Sequence, residues 1–154
     1  MKHIAILSDT HGLLREQVVA ELAMADCIIH AGDINNQFTA TSLQQYGETY
    51  MVRGNNDKDW AEALPKSLTI TIEDVRFFIV HNKKDIPKDL SSVDVVIYGH
   101  SHKYSVELVN GVLMLNPGSC GKRRFRLDIT MCRMTVDAGS YQYEKVVIPY
   151  ANSN

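Results

Sequence analysis

Five short apolar runs in the first two thirds of the chain each end on residues able to ligate a metal ion, and this placement limits the possible folds more than any other feature. Asp9 and His11 follow residues 4–7, and Gly32-Asp33 follows residues 27–30. Gly54-Asn55-Asn56-Asp57 follows residues 49–52, His81 follows 75–80, and Gly99-His100-Ser101-His102 follows 93–98. Short runs rich in β-branched residues read as buried strands. In α/β sheets the ends of such strands converge on one edge, so groups far apart in sequence can meet there in space.

Residues 13–23 and 38–46 read as helices between these strands, the βαβ alternation of a buried sheet. The second half is richer in strands. Residues 68–72 and 75–80 join at Glu73-Asp74, and Asn110-Gly111 is a hairpin signal between 105–109 and 112–115. A last pair, 127–136 and 141–148, flanks Asp137-Ala138-Gly139-Ser140. A chain that moves from βαβ units to hairpins is expected to form two sheets packed face to face with helices outside. At 154 residues, with no repeat or linker-like tract, it is expected to be one domain over residues 1–154.

Sixteen Lys and Arg stand against 18 Asp and Glu, a net charge of −2 that provides no general attraction to nucleic acid or membrane. The one dense basic stretch, Lys122-Arg123-Arg124-Phe125-Arg126, is explained most simply as an exposed face. The opening apolar run reaches Ser8-Asp9 before it can form a signal-peptide core, and no later segment approaches a membrane span, so a cytoplasmic location is expected. Cys27, Cys120 and Cys132 lack CxxC spacing, so reduced thiols are expected rather than a disulfide framework or a cysteine zinc site. A homo-oligomer is compatible with all of this.

The donors number two carboxylates, Asp9 and Asp33; four imidazoles, His11, His81, His100 and His102; and the amide oxygen of Asn55. That is too many for one tetrahedral ion. Two ions sharing a carboxylate would use the set, and a mixed nitrogen and oxygen shell suits manganese, iron, zinc, cobalt or nickel better than calcium. Gly32, Gly54 and Gly99 fit tight turns where backbone lies close to the ions.

Asp9-x-His11, Gly32-Asp33, Gly54-Asn55-x-Asp57, His81 and Gly99-His100-x-His102, in this order, closely resemble the calcineurin-like metallophosphoesterases, in particular their small bacterial and archaeal phosphodiesterase branch. Asn116-Pro117-Gly118-Ser119 is similar to a closing motif of that branch. The resemblance implies an α/β fold, a four-layer αββα sandwich of two mixed sheets flanked by helices. It implies two divalent ions, manganese foremost: one held by Asp9, His11, Asp33 and His102, the other by Asp33, Asn55, His81 and His100, with Asp33 bridging. A water or hydroxide between the ions would attack a small phosphate-ester substrate, with Asn55, Asp33 and His100 as the catalytic groups and Asn55 also bonded to the phosphate. Two positions depart from the family pattern. Asn56 stands where many members have a histidine credited with assisting the leaving group, and Asn82 stands where the small branch often has glycine.

Taken singly, an Asp-x-His or Gly-Asp is usually a turn or a cap; the set in order carries the reading. His3 and His30 lie in apolar runs and read as histidines with satisfied hydrogen bonds. Lys83 and Lys84 could attract phosphate, although solvated loop lysines are the default, and Asp57 reads as a brace for the loop or for a ligand. A phosphodiesterase is the first expectation and a phosphomonoesterase the nearest alternative. From another class comes a non-catalytic interaction scaffold, as in the related retromer subunit, but a scaffold has no physical need for four converging histidines.

Overall fold

The computed structural model describes residues 1–124 and 126–149, so Phe125 of the basic stretch and residues 150–154 lie outside the described residues. The elements run β1 (Lys2–Leu7), α1 (Glu16–Ala23), β2 (Cys27–His30), α2 (Gln37–Gln44), β3 (Glu48–Met51), β4 (Ser67–Ile72), β5 (Val75–Val80), β6 (Val95–Ile97), β7 (Tyr104–Val109), β8 (Val112–Pro117), β9 (Ile129–Asp137) and β10 (Ser140–Ile148). The strands form two five-stranded sheets, ordered β10-β9-β1-β2-β3 and β4-β5-β6-β8-β7. Both are mixed: β1, β2 and β3 are parallel, as are β5, β6 and β8, and antiparallel strands complete each sheet.

Side chains alternate across each strand, so one face of β1 presents Ile4 and Ile6 and the other Ala5 and Leu7. Ile4, Ile6 and Ile29 meet Phe77, Ile79, Ile97 and Leu115 from the opposite sheet in the central core. Ala5, Leu7 and Ile28 pack against Val18 and Leu22 of α1 and Ala40 and Leu43 of α2. Burial on both faces explains why β1 and β2 read as continuous apolar runs.

Both helices pack on the first sheet, and an irregular segment covers the outer face of the second. Val80, Val96, Tyr98 and Met114 lie under Ile86, Leu90 and Val93, carried by an irregular segment after a 3-10 turn, Lys83–Asp85. Pro87 lacks an N–H and holds Ile86 extended at φ −72°, ψ 127°, so the 3-10 turn cannot grow into an α-helix.

The first helix and the final hairpin are bounded differently from expectation. The first helix starts at Glu16 rather than at residue 13, because the N–H groups of His11 and Gly12 bond Asp33 O and Ile34 O and Leu13 N closes a turn on Thr10 O. Those groups serve the loop around His11 instead of a helical turn. The final hairpin turns on Ala138-Gly139 alone, at φ 49° and 86°, the conformation that matches strand twist. No helix among the described residues is long and apolar enough to cross a membrane.

Candidate metal centre

The parallel strands deliver the candidate ligands to one edge. Asp9 and His11 leave β1, Asp33 leaves β2, His81 ends β5, and His100 and His102 follow β6. Asp9 Oδ1 lies 3.7 Å from His11 Nε2, 3.4 Å from His102 Nε2 and 4.0 Å from His81 Nε2. Asp33 Oδ2 lies 3.3 Å from His81 Nε2 and 3.7 Å from His11 Nε2. Asp9 Oδ1 and His11 Nε2 are buried and make no hydrogen bond among the described residues. An unpaired buried polar atom costs about 1–3 kcal/mol, so gathering two at one point is unfavourable unless a cation satisfies their lone pairs together. Ligands about 2.1 Å from an ion lie roughly 3.0–3.5 Å from one another. The observed separations, 3.3 to 4.0 Å, are close to that spacing. Asp9, His11 and His102 form one compact group and Asp9, Asp33 and His81 a second.

The backbone is strained where these ligands sit. Asp9, His11, Asp33, His100 and His102 all have positive φ, between 47° and 77°. Each such residue costs on the order of 1–3 kcal/mol and persists only where its surroundings hold it. Two glycines allow the close packing that does so. A Cβ on Gly54 would stand 2.2 Å from Asp33 Oδ1, and one on Gly99 would stand 2.1 Å from Ser8 Oγ and 2.8 Å from Asp9 Oδ2.

Further polar groups lock the loops from behind. Asp57 accepts from the backbone N–H groups of Asp33, Ile34, Asn35 and Gly54, each at 2.9 Å, so it braces two ligand loops as expected. His81 Nδ1 meets Ala31 O at 2.7 Å, which makes Nδ1 the donor and turns the Nε2 lone pair towards the carboxylates. Asp9 Oδ2 accepts from Ser8 Oγ at 2.7 Å and His100 N at 3.1 Å, leaving Oδ1 to face the imidazoles. Asn116 donates to Gly99 O and Ser101 Oγ, and Ser119 Oγ donates to Asp9 O at 2.9 Å. Asn116 and Pro117 finish β8.

Burial opposes ionisation of Asp33, but His81 and the Asn56 amide outweigh it and hold this carboxyl well below the usual carboxylate range. Burial likewise opposes protonation of His81, and there Asp33 and Asp9 prevail, raising its pKa above the ordinary imidazole value. His102 moves the other way: burial lowers its pKa despite the pull of Asp9, with His11 and Arg124 adding to the lowering.

Asn55 and His100 are exposed, in contrast to buried Asp9, Asp33, His81 and His102. The His100 ring stands edge-on to His81 with centroids 5.3 Å apart, while Asn55 lines a cleft with His81. Both rim the site. Sequence reasoning identified His30 only as a satisfied core histidine and passed over Thr10, yet the two connect the ligand loops. The available signal was a histidine as the last residue of the apolar run 27–30, which periodicity does not interpret.

Residues 1–139 match the calcineurin-like phosphoesterase superfamily domain. A phosphodiesterase of Methanocaldococcus jannaschii is 30% identical over 138 residues, covering 76% of this chain and 83% of the relative. A probable metallophosphoesterase of Mycoplasma pneumoniae is 30% identical over 154 aligned residues, covering 90% of this chain and 92% of the relative. Vps29 of Entamoeba histolytica, solved in complex with zinc, has a TM-score of 0.74 at 20% identity, over 94% of this chain and 98% of that one. That likeness shows the fold alone. Sequence and architecture thus lead to one group, and the chain is a member of the calcineurin-like phosphoesterase superfamily.

Proposed function

We propose that this chain hydrolyses phosphodiesters with two divalent transition-metal ions, manganese foremost. The observation that carries the reading is the pair Asp9 Oδ1 and Asp33 Oδ2 flanked by imidazole nitrogens on both sides, with buried atoms that make no hydrogen bond. Asp9, His11, Asp33 and His102 would hold one ion and Asp33, Asn55, His81 and His100 the other. Sharing of Asp33 is supported by its Oδ2, which is 3.7 Å from His11 and 3.3 Å from His81, one imidazole of each set. Asp9 Oδ1 also approaches His81 at 4.0 Å, so both carboxylates face both sets.

Bound ions would supply Lewis acidity and bring the pKa of water close to neutrality, making it a nucleophile. The protein's own groups do the rest. The Ala31 carbonyl orients His81, Ser8 and the His100 amide orient Asp9, and exposed Asn55 at the rim can donate its amide hydrogens to a phosphate oxygen. Asn56 donates its backbone N–H to Asp33 Oδ1 at 2.8 Å, and its amide cannot protonate a leaving group. A diester with a good leaving group needs less of that help, and its single charge is repelled less by Asp9 and Asp33. The Methanocaldococcus relative, named a phosphodiesterase, supports the same choice. Three buried cysteines without disulfides support a reducing, cytoplasmic setting.

The test combines metal content after manganese loading with hydrolysis of bis(p-nitrophenyl) phosphate and p-nitrophenyl phosphate. Two ions per chain, preference for the diester and loss of activity to a chelator are expected. A saturated content of one or none overturns the paired centre, and a faster monoester overturns the diesterase assignment in favour of a phosphomonoesterase.

A further inference from the structure

Asn82 shapes the surface beside the candidate site. Its Oδ1 accepts from Lys84 N at 3.1 Å and its carbonyl from Asp85 N at 3.0 Å, which caps the 3-10 turn Lys83–Asp85. Glycine has no side chain to provide that cap. The turn sends successive lysines to two sides. Lys83 lines a cleft of about 290 Å³ with Tyr98, His100, Ser101 and Lys103. Lys84 lines another of about 210 Å³ with Arg53, Asn55, Lys66, His81 and Asp85. One cleft meets His100 and the other His81, so a phosphate bound over those two rings has a cleft on either side.

The two differ in free charge. Lys83 Nζ lies 3.4 Å from Glu107 Oε1 and 5.9 Å from the centroid of the Tyr98 ring, so its charge is engaged and Lys103 is the one cation lining that cleft without an ion pair among the described residues. Among the described residues Arg53, Lys66 and Lys84 make no ion pair, and Asp85 is the one carboxylate lining their cleft. Arg53 is half-buried, and its N–H bonds Pro65 O at 2.8 Å, which aligns Lys66 beside it. Three cations against one anion, in a chain whose net charge is −2, make a local anion-attracting surface that overall composition does not explain. Arginine offers a phosphate a bidentate fork and lysines act as point charges. Water occupies about 30 Å³ per molecule, so the space accommodates a phosphate group with some of its hydration.

We propose that the Arg53, Lys66 and Lys84 cleft is a subsite for a second phosphate of the substrate, so that favoured diesters carry an additional phosphate beside the scissile one. This rests on the phosphodiesterase reading above. Asn82 contributes by holding Lys84 in the cleft. Lys83, tied to Glu107, does not share the role.

The test compares the p-nitrophenyl ester of thymidine 5′-phosphate with the same ester bearing a 3′-phosphate, under saturating manganese. The wild-type chain is expected to favour the phosphorylated ester in kcat/KM by about tenfold, through KM, the low end for a hydrogen bond to a charged group. Lys66→Ala with Lys84→Ala brings the ratio close to one, and Lys83→Ala retains it. A wild-type ratio near one, or a ratio that the double substitution does not move, overturns the subsite. If neither ester is cleaved, the diesterase reading fails, and calorimetric titration with thymidine 3′,5′-bisphosphate and thymidine 5′-phosphate decides the subsite. Tighter binding of the bisphosphate in the wild-type chain only is then expected; equal binding overturns it.

Discussion

His30 and Thr10, both fully buried, share a hydrogen bond of 3.1 Å that ties the loop after β1 to the end of β2. The other ring nitrogen, Nδ1, accepts from Gly32 N at 3.0 Å, so Nε2 carries the proton and gives it to the Thr10 oxygen. Burial keeps this imidazole neutral, with its pKa pushed down to about 4. One ring thus sets the separation between the segments that bear Asp9, His11 and Asp33. His30→Leu keeps much of the volume and removes both bonds. It is expected to weaken manganese binding on the order of 10–100-fold, as for other groups that orient ligands. The unpaired Gly32 N–H should cost about 1–3 kcal/mol of stability. Metal titration beside denaturant unfolding measures both, and an unchanged metal affinity reduces His30 to a space-filling role.

Removing a shared ligand should differ from removing an unshared one. Asp33→Asn is expected to weaken binding of both ions, because Asp33 Oδ2 faces His11 and His81 together. His102 lies on the His11 side, with ring centroids 5.3 Å apart, so His102→Ala should leave one ion bound per chain. Calorimetric titration with manganese distinguishes the two patterns; identical losses in both variants contradict the division into two halves.

Metal stabilisation should grow with pH. In the metal-free chain the raised His81 pKa contributes stability that is complete below the unfolded value and is lost as pH rises through the folded one. The depressed Asp33 pKa contributes stability present above the usual carboxylate value and lost only in acid, as pH falls through the folded one. Between about pH 6 and about pH 8, therefore, His81 is the partner whose contribution changes, and it falls as pH rises. Metal needs the neutral imidazole, so proton competition weakens over the same window. The rise in unfolding temperature on adding saturating manganese is expected to be larger at about pH 8 than at about pH 6. Scanning calorimetry showing the reverse order rejects His81 as a ligand.

Position 56 should set the balance between ester classes. General acid assistance is typically worth about 10²–10⁴-fold, and the Asn56 amide cannot supply it. Asn56→His is expected to raise monoester turnover more than diester turnover, with two ions still bound. Matched aryl mono- and diesters at equal metal occupancy provide the comparison, and an equal change in both removes position 56 from the account.

The hairpins were legible because their turns are local: Glu73-Asp74 and Asn110-Gly111 adopt positive φ at both positions and join strands where expected. The start of α1 was not, since the N–H groups of His11 and Gly12 are taken by Asp33 and Ile34, partners 22 residues away. The cover on the outer face of the second sheet also depends on more than spacing. Ile86, Leu90 and Val93 have apolar spacing that resembles a helix, while Pro87 keeps Ile86 extended and outside any helical turn.

By itself the sequence determined the kinds of candidate ligand, their order and the strand each one follows, because alternation and apolar runs depend on neighbours two to four residues away. Tertiary structure decided which of their atoms face one another. Asp57 reaches the N–H groups of residues 33–35 only because β2 and β3 pair in parallel with His30 opposite Met51. Asp9 turns Oδ1 inward only because Ser8 and the amide of His100, 91 residues on, occupy Oδ2. Such contacts depend on sheet register and on left-handed backbone that packing from several strands must hold in place, and no local stretch of sequence encodes either.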